Sequence, residues 1–361
     1  MTIESASWKR YATPFFEPFE VSYGRQELSE HIILRLVDSS GKIGYGDATP
    51  LWFFTGEVCE AVEVLLEKVI KNKLIGIDVF DQQSIDHLLK SIPANYSLKS
   101  CVEMAVYDLR AKILNCPVYK LLGGKIREKV RVSSGIGIMP KEKTVKAANS
   151  LLNKGIRSFK IKVAGKVETE AERIKAVRDA LGKDVTIRID ANAAYTARQA
   201  IDLARKVSSC DLEYFEQPVK GNDVDGLTEV RNKIDFDVMA DESLFSVRDA
   251  IKLYEKRAVD IFGVKFAKCG GIREAKKIID FASSVDIPCV VISAFETWIG
   301  ISANLHLASS SENCFMANDL ALWTIQQDGM TEALKVDGDQ VAVPDKPGLG
   351  TGAEMLFKNY S

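Results

Sequence analysis

"IRSFKIKV" (156–163), "ETEAERIKAVRDALG" (168–182) and "DVTIRID" (184–190) follow one another along the chain. The first and third are short apolar runs and the second repeats its apolar residues at helical spacing, so the three read as strand, helix and strand. Runs this apolar cannot be wet on one face, which is the expectation for a parallel sheet covered by helices. The pattern recurs in "KVRVSSGIGI" (129–138), "LEYFEQP" (212–218), "DFDVMAD" (235–241), "VDIFGVKFAK" (259–268), "IPCVVISAF" (287–295) and "NCFMAND" (313–319). Eight strand candidates in βα units predict an α/β fold, a TIM-type (β/α)7-8 barrel with its functional groups at the C-terminal strand ends. An open doubly wound sheet is the rival, but the first βα turn lacks GxGxxG.

The first 125 residues read differently. "HIILRLVDSSGKIGYGD" (31–47) has two strand patterns around a Ser-Ser-Gly turn, and "GEVCEAVEVLLEKVI" and "LKSCVEMAVYDLRAKIL" are amphipathic helices. The expected organisation is an α+β capping domain over residues 1–125, a barrel over 126–320, and a C-terminal segment, 321–361, returning to the cap. The 361 residues are 46% hydrophobic and 27% charged with a net charge of −2, so no field of one sign draws the chain to nucleic acid or an anionic membrane. A small polar substrate is the better match. Seven scattered cysteines without a CxxC pair, no leader pattern and no apolar window of ~18 residues point to a soluble cytoplasmic protein.

The last polar residues of the barrel strands are Lys162, Asp190, Glu216, Asp241, Lys265, Glu296 and Asp319, spaced by 23 to 31 residues, about one βα unit each. If the barrel forms, all seven converge on one mouth. Asp190, Glu216 and Asp241 on successive strands cannot all stay ionised unaided, and a divalent cation resolves this. An all-carboxylate set with open positions suits Mg²⁺ better than Zn²⁺, and Asn192 is placed to support it. Lys160 and Lys162 alternate in one strand and so share a face, while Lys265 comes from the barrel's other side. Cations near a metal lose pKa, which makes a lysine a usable base. Bases on both sides of a metal-bound carboxylate suggest removal of its α-proton through an enediolate.

"FKIKV", "RIDANAAY", "YFEQP", "ADES" and "VKFAKCGGI" together resemble the strand motifs of the enolase superfamily, specifically its muconate lactonising enzyme subgroup, and "GYGDATPL" (44–51) and "AVYDLRAKILNCPVYKLLGG" (105–124) are similar to its capping domain. The resemblance implies Mg²⁺, with Mn²⁺ as a substitute, on Asp190, Glu216 and Asp241, and Lys162 and Lys265 as the acid/base pair. It implies that Lys160 contacts the substrate carboxylate and lowers the pKa of Lys162, and that Lys268 is structural. Loops near residues 15–25 and 49–57 would close over the site, bringing Phe19 and Phe54 to the substrate, with Glu296 and Asp319 as further substrate-binding residues. A homo-oligomer is also expected.

The subgroup's reactions share proton abstraction and then diverge. "PFEVSYG" (18–24) and "FETWIGISANLHLASSSENCFMANDLA" (295–321) are more similar to o-succinylbenzoate synthases and N-acylamino acid racemases, which place a Gly where many dipeptide epimerases place an Arg, as Gly24 does here. Trp52, Phe53 and Phe54 would add an aromatic wall. Dipeptide epimerases carry Asp-x-Asp after strand eight; here Asp319 is followed by Ala321. "KFAKCGG" instead resembles cycloisomerases and epimerases. The expectation is the synthase or N-acylamino acid racemase type, with a dipeptide epimerase or a muconate-type cycloisomerase as the alternative and a non-catalytic carboxylate-binding barrel as the rival of another class. His31, His87 and His306 lack metal-ligand spacing and read as structural or surface residues.

Overall fold

A computed structural model describes residues 1–326 and 333–357. Strands β1 (Ile3–Val21), β2 (Gly24–Asp38) and β3 (Ile43–Ala48) form an antiparallel sheet in that order. The expected hairpin is the β2–β3 pair, and the expected loop at 15–25 is instead the end of β1 turning through Ser22 and Tyr23 into β2. Pro14 and Pro18 cannot donate to a ladder, and a register shift between Pro14 and Phe19 accommodates them. The helix Tyr96–Ile113 packs on β3, giving the cap its own core around Ile32, Leu34, Val62, Cys101 and Val106.

After β4 (Lys129–Arg131) come β5 (Ser134–Ile136), β6 (Ser158–Lys162), β7 (Thr186–Asp190), β8 (Leu212–Glu216), β9 (Asp237–Ala240), β10 (Ile261–Val264) and β11 (Cys289–Val291). Strands β5 to β11 form one parallel sheet in sequence order. Seven of the eight strand candidates thus form the barrel sheet, within the expected (β/α)7-8 architecture. "NCFMAND" contributes only two bridges, Asn318 to Val132 and Asp319 to Ile292, and these close the barrel between its first and last strands. "KVRVSSGIGI" is likewise divided. Lys129 and Arg131 are exposed around buried Val130, the alternation of a half-wet strand, and β4 pairs antiparallel with β13 (Gln340–Ala342), itself paired to β12 (Val336–Asp337).

Of the expected C-terminal segment, residues 327–332 and 358–361 lie outside the described residues. The rest touches both units. The Val118 N–H donates to Gly348 O at 3.0 Å, and Trp298 Nε1 donates to Thr351 O at 3.0 Å. Cap and barrel are also joined where Asp47 Oδ2 accepts from the Thr297 N–H and hydroxyl, both at 2.7 Å. Among the described residues no helix is long and apolar enough to cross a membrane.

Candidate active site

Strand β6 is buried at every position, with Phe159 and Ile161 in the core under the helices and Lys160 and Lys162 on the other face, inside the barrel. Their partners on β7 and β8 follow from register: Lys162 stands opposite Asp190, and Asp190 opposite Glu216. Below them the barrel interior is filled by Tyr214, Met239, Ile261, Val290 and Ile292, together with the buried Arg188 guanidinium, which lies 4.8 Å from the Tyr214 ring centroid and donates to Ala317 O at 2.7 Å.

Lys160 Nζ lies 3.1 Å from Glu216 Oε2 and 3.4 Å from Asp190 Oδ2, and it forms a close ion pair with Asp319. Lys162 pairs with Asp190 and donates to Asn192 Oδ1 at 3.1 Å. Lys265 Nζ is 2.9 Å from Asp241 Oδ2. Lys268 is fully buried and holds the Asp241 carbonyl at 2.6 Å and the Gly263 carbonyl at 3.0 Å, joining the ends of β9 and β10. Three strands separate β6 from β10 in the sheet order, so Lys162 and Lys265 enter the mouth from opposite sides.

The electrostatics of Lys160 and Lys265 are set by the carboxylates paired with them. Burial lowers the Lys160 ammonium, but Asp319, Glu216 and Asp190 outweigh it and hold its pKa well above the usual lysine value. Lys265 is raised in the same way, by Asp241, Glu242 and Glu216 against burial. Burial raises the carboxylates, yet Asp190 is held below its ordinary value by Lys162 and Lys160, and Asp241 by Lys265 and Lys268. Glu216 is the exception. Burial, then Asp190, push its carboxyl well above the usual range, and its buried Oε1 has no hydrogen-bond partner.

That orphaned oxygen tests the fit of a metal. Among the described residues no three His, Cys, Asp or Glu side chains are gathered closely enough to ligate one ion as they stand, because the lysines pair with the carboxylates. The donor set nevertheless suits a hard dication: three buried carboxylates on adjacent strands, one of them short of positive charge. Asp190, Glu216 and Asp241 are the residues that could hold it.

Asn192 sits at φ +42°, a left-handed position that asparagine tolerates, and binds four groups from there. Its N–H donates to Asp190 Oδ1 at 2.8 Å, Oδ1 accepts from Lys162, Nδ2 donates to Glu242 Oε1 at 3.2 Å, and its carbonyl accepts from the Ser22 hydroxyl at 2.8 Å. Phe19 and Phe54 line the cleft with Phe53, while Trp52 is exposed and not part of the wall. Asp319 lines it too, accepting from the Ser133 hydroxyl at 2.9 Å. Glu296 does not reach it. Its carboxylate turns back onto the Ser293 hydroxyl and the Ala294 N–H, so the structure does not support the expected contact with substrate.

Three residues escaped the sequence reading. Gln217 ties β8 to β9: its Oε1 accepts from the Asp241 N–H at 2.9 Å and the Ser243 N–H at 3.1 Å. Tyr23 of the β1–β2 turn donates to Glu242 Oε1 at 2.5 Å, closing the cap hairpin onto the barrel. Burial, Asp241 and Asp190 push Glu242 up to about 7. The signal for the first and last was adjacency to a charged strand end, in "EQP" and "ADES"; Tyr23 left none.

Two families match the chain: "Enolase C-terminal domain-like" over residues 143–355 and "Mandelate racemase / muconate lactonizing enzyme, N-terminal domain" over residues 6–123. The L-Ala-D/L-Glu epimerase of Bacillus subtilis is 33% identical over 99% of both chains, and its substrate-liganded structure superposes with a TM-score of 0.93 at 31% identity, covering 97% of this chain and 98% of that one. A hydrophobic dipeptide epimerase of Enterococcus faecalis is 32% identical over 92% of this chain and 95% of its own. An E. faecalis dipeptide epimerase solved with Mg and the dipeptide L-Leu-L-Tyr gives a TM-score of 0.90 at 30% identity, covering 97% and 99%. An N-succinyl-L-Arg/Lys racemase of Bacillus cereus is 30% identical over 93% and 91%. With these relatives over nearly its whole length, the chain belongs to the enolase superfamily, in its mandelate racemase/muconate lactonizing branch, and has that superfamily's racemase/epimerase activity.

Proposed function

We propose that the enzyme epimerises dipeptides with uncharged, apolar side chains. The observation that carries this is the Lys160–Asp319 pair at the cleft. It presents one cation and one anion, the complement of a zwitterion, so a substrate carboxylate takes Lys160 and releases Asp319 to a substrate ammonium. Around the pair the walls are apolar: Phe19, Val21, Phe54, Ile292, Phe295 and Leu320. Gly24, at the start of β2, offers no cation to an acidic side chain. The dipeptide epimerases among the relatives support the same reading over the synthase reaction.

A bound Mg²⁺ on Asp190, Glu216 and Asp241 would polarise the substrate carboxylate and stabilise negative charge building on it. The chain's own groups move the proton. The α-carbon–hydrogen bond breaks, its proton passes to Lys162 or Lys265, which would stand as a neutral amine once a cation rather than an ammonium balances the carboxylates, and the electron pair stays on the substrate. The opposite lysine, as an ammonium, then delivers a proton to the other face. Asn192 orients Lys162, Lys268 holds the strand end beside Lys265, and Tyr23 keeps the cap shut.

A second reading, N-acylamino acid racemisation, is favoured by Ala321, which leaves Asp319 without a second carboxylate, and by the B. cereus racemase. One experiment separates them. Apolar dipeptides and the matching N-succinyl amino acids are incubated with enzyme in heavy water, and inversion with α-deuteration is followed by NMR. Dipeptides are expected to turn over at least about 100-fold more efficiently, and Asp319→Asn to raise their KM about tenfold or more, the cost of losing a charge-assisted contact. Faster turnover of the N-succinyl compounds sinks the dipeptide reading, and no deuterium in either class sinks both.

A further inference from the structure

Phe54 stands where the two cap segments meet the barrel. Its ring faces Lys265 Nζ, 4.5 Å from the ring centroid. It stacks on Phe245, from the loop after Asp241, with centroids 6.3 Å apart and planes 23° from parallel. Tyr23 of the β1–β2 turn approaches it at 6.5 Å, and Tyr96, at the start of the long cap helix, packs on the edge of Phe245 at 5.5 Å. Rings from two other segments therefore hold this one in place, and a third braces Phe245. The backbone adds to this, since the Phe54 and Thr55 N–H groups both donate to Leu51 O, at 2.9 and 2.8 Å. A ring so fixed fixes what lies against it. Lys265 has Asp241 on one side and the Phe54 face on another, whereas Lys162 is held by the polar pair Asp190 and Asn192.

Resting on the two-lysine reaction proposed above, we infer that Phe54 is a positioning residue for Lys265. The cap delivers an aromatic face that keeps Lys265 Nζ aimed at the cleft and shields it from water. When Lys265 takes the α-proton, the carbon–hydrogen bond breaks, the electron pair remains on the substrate, and the amine becomes an ammonium against the ring, where the aromatic quadrupole attracts it. The 49–57 segment of the cap thus carries a contact on which one of the two bases depends. Lys162 does not share this dependence, so the two faces of the substrate respond differently to the loss of the ring. A wall that only packed against substrate would affect both faces alike.

The test measures the initial loss of the α-proton in heavy water from each epimer of a turned-over substrate, by NMR. Lys265→Ala first identifies the epimer that Lys265 serves, as the one whose exchange is lost. Phe54→Leu keeps apolar bulk but removes the π face, and Phe54→Tyr keeps both. Expected is a fall of about three- to tenfold, the size of a cation–π contact, at the Lys265-served epimer with Phe54→Leu. The fall at the other epimer should be at least about threefold smaller, and Phe54→Tyr, which keeps the ring face, should return the ratio of the two rates to that of the wild type. Equal slowing of both epimers, or no slowing, in Phe54→Leu overturns the role. No exchange by the wild type from either epimer fails the proposed reaction itself, and this role with it.

Discussion

Fully buried beside Asp190, with Lys160 on one oxygen and nothing on the other, the Glu216 carboxyl is the group most changed by a cation. Replacing it by its neutral isostere keeps the side chain's size and removes one anionic donor. Glu216→Gln is expected to weaken Mg²⁺ binding at least about 100-fold by isothermal titration calorimetry, more than the loss of a supporting partner costs. It is also expected to abolish the rise in unfolding temperature that saturating Mg²⁺ gives the wild type. Unchanged affinity would remove Glu216 from the donor set. At this scale the charged groups at the strand ends were legible because lysine and carboxylate are rare in apolar strands. Gln217 and Tyr23 were not, because a neutral side chain acts through hydrogen bonds whose partners lie on other strands or on the cap.

Strand β3 meets the helix Tyr96–Ile113 backbone to backbone. A Cβ on Gly46 would stand 1.9 Å from the Cys101 carbonyl oxygen, and one on Gly44 2.1 Å from that of Ala105. Neither neighbour is the movable end of a side chain, so strand and helix must separate to admit a methyl group. Gly46→Ala is expected to destabilise by about 1–3 kcal/mol, the usual cost of overpacking, measured by urea denaturation of the whole chain. An unchanged midpoint would mean that the helix shifts freely. Element types were readable wherever hydrophobic period and length agreed, as in β6 to β11. They failed in β1, whose two prolines argue against a strand, and in "NCFMAND", whose composition reads as a strand but whose pairing is two bridges.

His306 lies at the junction of barrel, cap and C-terminal segment. The Tyr119 N–H donates to its Nδ1 at 3.3 Å, and its Nε2 faces Leu349 O at 3.4 Å. Burial lowers its pKa to about 4 from the usual 6.5. The unfolded chain therefore takes up the proton first, and the stability that neutral His306 contributes is present above pH 6.5 and lost as pH falls toward 4, at up to about 1.4 kcal/mol per unit. His306→Gln cannot titrate. Its unfolding temperature is expected to fall less steeply than the wild type's across this window, by calorimetry; parallel slopes would place the acid sensitivity elsewhere.

By itself the sequence determined the fold class, the order of the βα units and the residue types gathered at the candidate site. Strand period and helix period are local, and charged groups at strand ends recur at a fixed interval. Only the tertiary structure decided that two bridges close the barrel, that Glu296 turns back while Asp319 faces the cleft, and that Phe54 rests on Lys265. Each of these is set by contact between segments distant in the chain, where direction and distance rather than residue type govern the interaction.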